Sequence, residues 1–263
     1  MFIKHYSTKI QSAVYVNSLK LNTKNFGRHM ATTVACYKEG KLTGEYFAGL
    51  VTSNGEFLAV LTRRTRNKQH YRRIDFKFTL QLWRNEFNKN LLLEIKNKLE
   101  DKGNLIFYKK QNNLIKYQIT NQKDLLNVVI PFFMRYHLRG DKLLSFLRFK
   151  YLLEVASKKL HFTDKNIFLS LIVIAGQLDS TNKLGNKIRY LNPEEAKYVK
   201  NNVIPNGVDI SQLTNAIVNF KLNPLTLDFV HGLFESNTYN YRKISKEDQD
   251  YIRDNFLPKD LEL

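Results

Sequence analysis

Eleven consecutive residues, Arg63-Arg64-Thr65-Arg66-Asn67-Lys68-Gln69-His70-Tyr71-Arg72-Arg73, hold six Lys or Arg. Cations at this density suit phosphate. Each contact displaces condensed counterions, so binding gains from counterion release and weakens with salt. Tyr71 inside the run and Trp83 beyond it offer rings on which exposed bases stack. The alternative is a solvated basic turn with no ligand.

The whole chain leans the same way. Over 263 residues it carries 42 Lys or Arg against 24 Asp or Glu, a net charge of +18. Such an excess repels itself in a compact state and calls for an anionic partner. A phosphate backbone is favoured over an acidic membrane surface, because no basic amphipathic helix dominates. No uninterrupted apolar run reaches the roughly 18 residues of a membrane span. The single cysteine, Cys36, leaves no disulfide framework or cysteine-based zinc site within one chain. The six histidines form no HxxxH or HExxH pair.

The elements that would position the basic run follow from periodicity. Gly44–Asn54 reads as a short helix ending at Gly55, a residue tolerant of positive φ. Glu56–Arg66 is a strand, Asn67–Tyr71 a basic turn and Arg72–Trp83 a second strand. In the latter Ile74, Phe76, Phe78, Leu80 and Leu82 alternate with Asp75, Lys77, Thr79, Gln81 and Trp83. Glu86–Asp101 is a helix, stopped by Lys102-Gly103-Asn104. Leu105–Lys110 and Leu114–Thr120 form a hairpin. Lys123–Tyr136 is helical with a kink or break at Pro131, and Asp141–Lys159 is another helix. A four-stranded antiparallel sheet with helices on one face satisfies this order and leaves a polar face open. Farther on, helices are expected at Asp164–Gly176, near Pro193–Asn201 and from Pro224. Turns are expected at Thr181–Asn186 and Pro205-Asn206-Gly207, with an exposed charged tail after Asn240.

Residues 1–38 contain no Asp or Glu but include Lys4, Lys9, Lys20, Lys24, Arg28 and Lys38. This is the composition of a mitochondrial transit peptide, and equally of a basic nucleic-acid-binding arm. With the abundance of Asn, Lys, Ile, Phe and Tyr, whose codons are AT-rich, it leads to an expected location in the mitochondrial matrix. The expected organisation is an arm at 1–38, an α+β domain at 39–160 and a mainly helical region at 161–263.

Phe47-Ala48-Gly49-Leu50-Val51-Thr52-Ser53-Asn54-Gly55-Glu56-Phe57 resembles the motif that names the LAGLIDADG homing endonucleases and intron maturases. The αββαββα order resembles that family's half-saddle. So does the stretch from Ile130-Pro131-Phe132-Phe133 through Tyr136-His137-Leu138 to Lys142-Leu143-Leu144. A second, vestigial copy at 224–240 centres on Val230-His231-Gly232-Leu233-Phe234-Glu235-Ser236-Asn237. In both copies Gly and Ser stand four apart, Gly49 with Ser53 and Gly232 with Ser236. Small residues on one helix face let two backbones approach, and Ala48 adds to that face. The resemblance implies motif helices packed at a pseudo-twofold axis.

It also implies where metal would be held. In the family an acid precedes the Gly ending each motif helix, and the pair holds divalent metal. Hard cations need carboxylate oxygens, and in-line phosphodiester attack uses metal at both oxygens. Here the two positions are Asn54 and Asn237, so no catalytic residue, metal site or cofactor is expected. Mg²⁺ enters only if the chain is an active DNA endonuclease with other ligands; Glu56 and Glu235 are the nearby acids. Lys142 matches a basic residue near the family's active centre. The binding face would be the polar sheet face, with Arg63, Lys77, Thr79, Gln81, Lys116 and Gln118; Arg64, Arg66, Lys68, Tyr71, Arg72 and Arg73 of the hairpin run, and Lys142, are further expected nucleic-acid contacts. Leu58 and Val60 would add apolar groups to the sheet face.

Three functions fit. One is a non-cleaving binder of structured RNA, either intron RNA as a maturase or ribosomal RNA beside ribosomal proteins. The second is an active DNA homing endonuclease. The third is a protein-docking assembly factor. Metal-dependent cleavage separates the second from the others, and salt-dependent RNA affinity separates the first from the third.

Overall fold

The computed structural model describes residues 42–66, 68–108, 113–176, 178, 190–201, 220–236 and 244–256. Residues 1–38, both expected turns at 181–186 and 205–207, and Asn237 lie outside them. In chain order the elements are α1 (Gly44–Asn54), β1 (Gly55–Arg66), β2 (Gln69–Trp83), α2 (Glu86–Lys98), β3 (Asn104–Phe107) and β4 (Leu114–Ile119). Then come α3, made of Gln122–Asp124, a π-helical stretch Leu125–Val129 and Ile130–Arg135, and α4 (Gly140–Ser157). The last helices are α5 (Lys165–Gly176), α6 (Pro193–Asn201), α7 (Leu227–Ser236) and α8 (Lys246–Phe256). The chain divides into two compact units. Of the described residues, one unit holds those within 55–135 and 142–222, and the other those within 42–54, 136–141 and 223–256.

The first unit is the sheet with its helices. The strands run antiparallel in the order β1-β2-β4-β3. Alternation decides what faces inward. Phe57, Ala59 and Leu61 of β1, Ile74 to Leu82 at even positions of β2, and Ile115, Tyr117 and Ile119 of β4 are all buried. Helices α3 and α4 close over this face. Phe57 packs against Phe78, Phe133, Phe146 and Phe149 at centroid separations of 5.3 to 5.9 Å, edge or tilted contacts favoured by the ring quadrupole. The Tyr117 hydroxyl donates to the Lys102 carbonyl at 2.6 Å. Burial pushes that phenol above its ordinary range, so it remains a donor.

Local chemistry corrects four expectations. The β1–β2 connection is tighter than Asn67–Tyr71, because Arg66 pairs with Gln69 and Lys68 takes φ 63°. A connection this short suits a hairpin whose backbone turns left-handed. Helix α2 stops at Lys98, not Asp101, because Glu100 and Asp101 adopt positive φ before Gly103. Gly55 is no left-handed cap: positive φ among the described glycines occurs at Gly103 and Gly140, and Gly55 already pairs with Leu80. Pro131 does not break α3. The π-helical stretch just before it widens the turn, which relieves the clash a prolyl ring makes with the carbonyl four residues back.

Beyond the sheet, α6 starts with a reciprocal cap. Asn192 Oδ1 accepts from the Glu195 N–H at 2.8 Å, and Glu195 Oε2 accepts from the Asn192 N–H at 3.1 Å. Pro193 supplies the first helical residue, where its missing N–H costs nothing.

The second unit is built on α1 and α7. Each helix is N-capped by a threonine: Thr43 Oγ1 accepts from Tyr46 N–H at 3.1 Å, and Thr226 Oγ1 from Phe229 N–H at 3.2 Å. The helices cross where each has glycine. A Cβ added at Gly49 would overlap the Phe229 carbonyl oxygen, and one added at Gly232 would overlap the Tyr46 carbonyl oxygen. The two contacts are mirror statements of one arrangement: each glycine lies on the carbonyl three residues before the other. The same offset, 183 residues (232 minus 49), relates Leu42 to Leu225, Thr43 to Thr226, Leu50 to Leu233 and Asn54 to Asn237. Ser53 turns its hydroxyl to the Leu50 carbonyl at 2.9 Å, keeping a polar group satisfied at the crowded end of α1.

Arg139 ties this unit together. Its N–H donates to Thr52 Oγ1 at 3.3 Å, and its buried guanidinium donates to the Asn223 carbonyl and reaches Asp248 of α8 at 3.4 Å. The segment after Asn240 is therefore not simply an exposed tail, since α8 buries Ile252, and Ile244 ahead of it is buried too.

Candidate nucleic-acid interface

The outward face of the sheet collects the residues left over by alternation. From the hairpin tip inward, the cross-strand pairs are Arg64 with Tyr71, Thr62 with Arg73, Val60 with Asp75, Leu58 with Lys77 and Glu56 with Thr79. Across β2 and β4, Thr79 pairs with Gln118 and Gln81 with Lys116. Arg64, Tyr71, Arg73, Lys77, Gln81, Lys116 and Gln118 thus share one face, and Lys68 is exposed at the tip. Leu58 and Val60 lie half-buried among them. A shallow depression lined by Arg64, Arg73, Asp75, Lys77, Gln118 and Thr120 sits on this face.

Its electrostatics centre on Asp75, whose alternation places it on this face but gives it no role. Arg64 approaches one Asp75 oxygen at 2.6 Å and Arg73 the other at 3.0 Å. The hydrogen bond to Asp75 raises Arg64 further above its ordinary pKa. One carboxylate thus gathers two guanidiniums. Both arginines are more than half exposed, so the ion pairs add little stability.

Arg63 and Arg72 do not join this face. They pair with each other across the hairpin, at the alternation positions of Leu61 and Ile74. Arg72 turns to the helical side, where Glu195 holds it at 2.5 and 3.3 Å and its guanidinium lies 4.8 Å from the Phe168 ring centroid. Burial alone would raise Glu195; the Arg72 hydrogen bond, the Asn192 N–H and nearby Lys165 outweigh it and hold the carboxyl below its ordinary value. Thr79 is outward by alternation but buried, and donates to Glu56 at 3.2 Å. Residue spacing indicates which face each residue occupies but not these partners, because Glu195 lies 123 residues from Arg72.

At the motif positions, Asn54 ends α1 with a neutral amide. Lys142 donates to the Gly55 carbonyl at the start of β1. Glu56 stands on the exposed sheet face with Thr79 as partner. Among the described residues, no group of three or more His, Cys, Asp or Glu stands together to hold a metal. An uncharged amide does not offer the carboxylate oxygens that a hard dication requires, so these residues do not fit the metal pair implied by the family. The side chains of Arg66, Glu235 and Ser236 lie outside the described residues, as does Asn237.

A four-stranded antiparallel sheet with one helix-covered face and one charged face, together with a glycine-to-glycine helix crossing, makes an α+β fold of the kind seen in homing endonucleases. Residues 47–153 match the family model described as LAGLIDADG endonuclease. Over that stretch the chain is similar to the LAGLIDADG endonucleases.

Solved structures agree on the fold. One is the I-SmaMI LAGLIDADG homing endonuclease bound to cleaved DNA (TM-score 0.53, 19% identity, 75% of this chain and 58% of that one). Others are I-GzeII in complex with a DNA target (0.53, 17%, 74% and 59%) and I-LtrWI bound to target DNA (0.53, 21%, 73% and 57%). This chain therefore spans less than three-fifths of the length of each. No curated protein matches.

Proposed function

We propose that this protein binds nucleic acid on the outward sheet face, does not cleave it, and has structured RNA as its ligand. The observation that carries this reading is the contrast within α1. Gly49 keeps the close helix crossing, while Asn54 at the helix end offers an amide where cleavage needs a charged metal ligand. Packing of the helices does not require an acid at that end, so binding survives its replacement while metal-assisted attack does not. Arg64, Arg73, Lys77 and Lys116 supply phosphate contacts. RNA is favoured over DNA because Tyr71 and Trp83 are exposed rings on or beside that face, and rings serve unstacked bases rather than a closed duplex. The structural neighbours are bound to DNA, which makes an active DNA endonuclease the second reading.

The partner RNA is an intron, as for a maturase, or ribosomal RNA with ribosomal proteins around it. The acid-free residues 1–38 support a mitochondrial matrix location. Incubating the protein with Mg²⁺ and labelled organellar RNA and DNA at two salt concentrations tests the reading. Retained structured RNA without cleavage is expected, and sequencing it chooses between intron and ribosome. Metal-dependent double-strand breaks in DNA would overturn it.

A further inference from the structure

The outward sheet face changes character along its length. The half nearest the β1–β2 tip is ionic, with Arg64, Arg73, Asp75 and Lys77. The far half is aromatic, and past the row of Glu56 and Thr79 it carries no acid. Its last cross-strand row begins with Trp83 on β2, which pairs with Leu114 on β4. Phe107 pairs with Ile115, so the next residue, Tyr108, falls beside Leu114. The Tyr108 N–H donates to the Leu114 carbonyl at 3.4 Å, continuing the ladder by one residue. The row before it is Gln81, Lys116 and Ile106.

Trp83 is 61% exposed and Tyr108 37% exposed, with Leu114 half-buried between them. Large rings are ordinarily drawn under cover, because burying one removes much apolar area from water. Here two of them flank an aliphatic side chain on one row of a pleated surface. Three adjacent strands place the outer two about 10 Å apart, a shelf wide enough for a purine. Gln81 and Lys116 stand on the neighbouring row. A polynucleotide gains from both, as a phosphate contact and an amide donor-acceptor beside a stacking surface.

We propose that Trp83, Leu114 and Tyr108 form a stacking platform for unpaired bases of a polynucleotide whose backbone is held by Lys116 and the ionic half of the same face. The inference rests on the nucleic-acid-binding reading above and sharpens it: the ligand must present single-stranded bases beside a helical or backbone segment. A closed duplex reaches the ionic half but has no free base to lay on the shelf.

Trp83 is the one tryptophan of the chain, so its fluorescence reports the platform directly. The full-length protein is titrated with 12-nucleotide oligoadenylate and oligouridylate, and separately with a blunt RNA duplex, while retention on a filter is scored in parallel. Single strands are expected to quench Trp83 emission, and the duplex to be retained without quenching. Tyr108→Ala is expected to weaken single-strand binding by roughly 5- to 150-fold, the range for loss of one base–aromatic stack. Its duplex retention and melting temperature should stay at the parent values. If oligonucleotides are retained but Trp83 emission does not move, the platform is overturned while the binding reading stands, and the shelf is left to a protein partner. If no oligonucleotide is retained even at low salt, the binding reading fails and takes the platform with it.

Discussion

The helix pair α1–α7 and the outward face of the sheet show two ways in which a sequence can be constrained. In the helix pair, Gly49 and Gly232 lie against backbone carbonyls of the opposite helix, and no larger residue fits without moving a helix. On the sheet face, side chains point away from the backbone, and residues of different size and charge fit there. Asp75 between Arg64 and Arg73 shows this freedom. The geometry of this fold is thus held at positions without functional groups. Charge is carried on the sheet face by side chains that point away from the core.

The largest expected effect breaks the helix pair. In an isolated helix, Gly→Ala stabilises by about 1 kcal/mol. Gly49→Ala is expected instead to destabilise by about 2–3 kcal/mol, the cost of overpacking a close contact. A urea midpoint that rises in both Gly49→Ala and Gly232→Ala would rule out the close crossing.

A middle-sized effect separates two adjacent residues of one strand. Arg72 faces Glu195 and Arg73 faces Asp75. Glu195→Gln keeps the reciprocal cap of α6, since an amide serves there as well, but loses the charged bond to half-exposed Arg72. A loss of about 1–2 kcal/mol at neutral pH is expected. The pH profile gives the sign. Because the folded carboxyl titrates below its ordinary 4.5, its contribution is fully present above that value and fades as pH falls through the lower folded one. The Gln variant should show a flatter acid limb; an unchanged limb would mean the ion pair adds nothing.

The smallest expected effect on stability, and the one that sharpens the sheet side, is Asp75→Asn. Removing the carboxylate frees two exposed guanidiniums. Polynucleotide affinity should rise several-fold, and the logarithmic salt dependence should steepen by roughly 0.7–0.9 for each additional phosphate neutralised. A fall in affinity would instead show that Asp75 is needed to aim the two arginines.

Much is legible along the chain because it depends on neighbours in sequence. Alternation in β2 places Lys77 and Gln81 opposite Phe76 and Phe78, since successive side chains on a strand leave opposite faces. The small-residue spacing around Gly49 and Gly232 announces a close helix contact. The run Asn192-Pro193-Glu194-Glu195 contains a helix start whose cap follows from local hydrogen bonding. A stronger signal for the second motif helix is the 183-residue offset, which also matches Leu42, Thr43 and Leu50 with Leu225, Thr226 and Leu233. That offset identifies the helix down to its N-cap.

The sequence by itself determined the strand faces, the basic and aromatic inventory, and the amide at Asn54, all of which follow from residue type and short-range geometry. Only the tertiary structure decided which arginines stay on the open sheet face. Arg72 and Arg73 are equivalent in composition, yet one meets Glu195 at a distance of 123 residues in sequence and the other stays on the open face. It likewise decided that Thr79 is buried, that Ile252 holds α8 in place, and that Gly49 and Gly232 each rest on a carbonyl of the other helix. The physical reason is the same in each case: a long-range partner changes a side chain's surroundings without leaving any trace in the residues beside it.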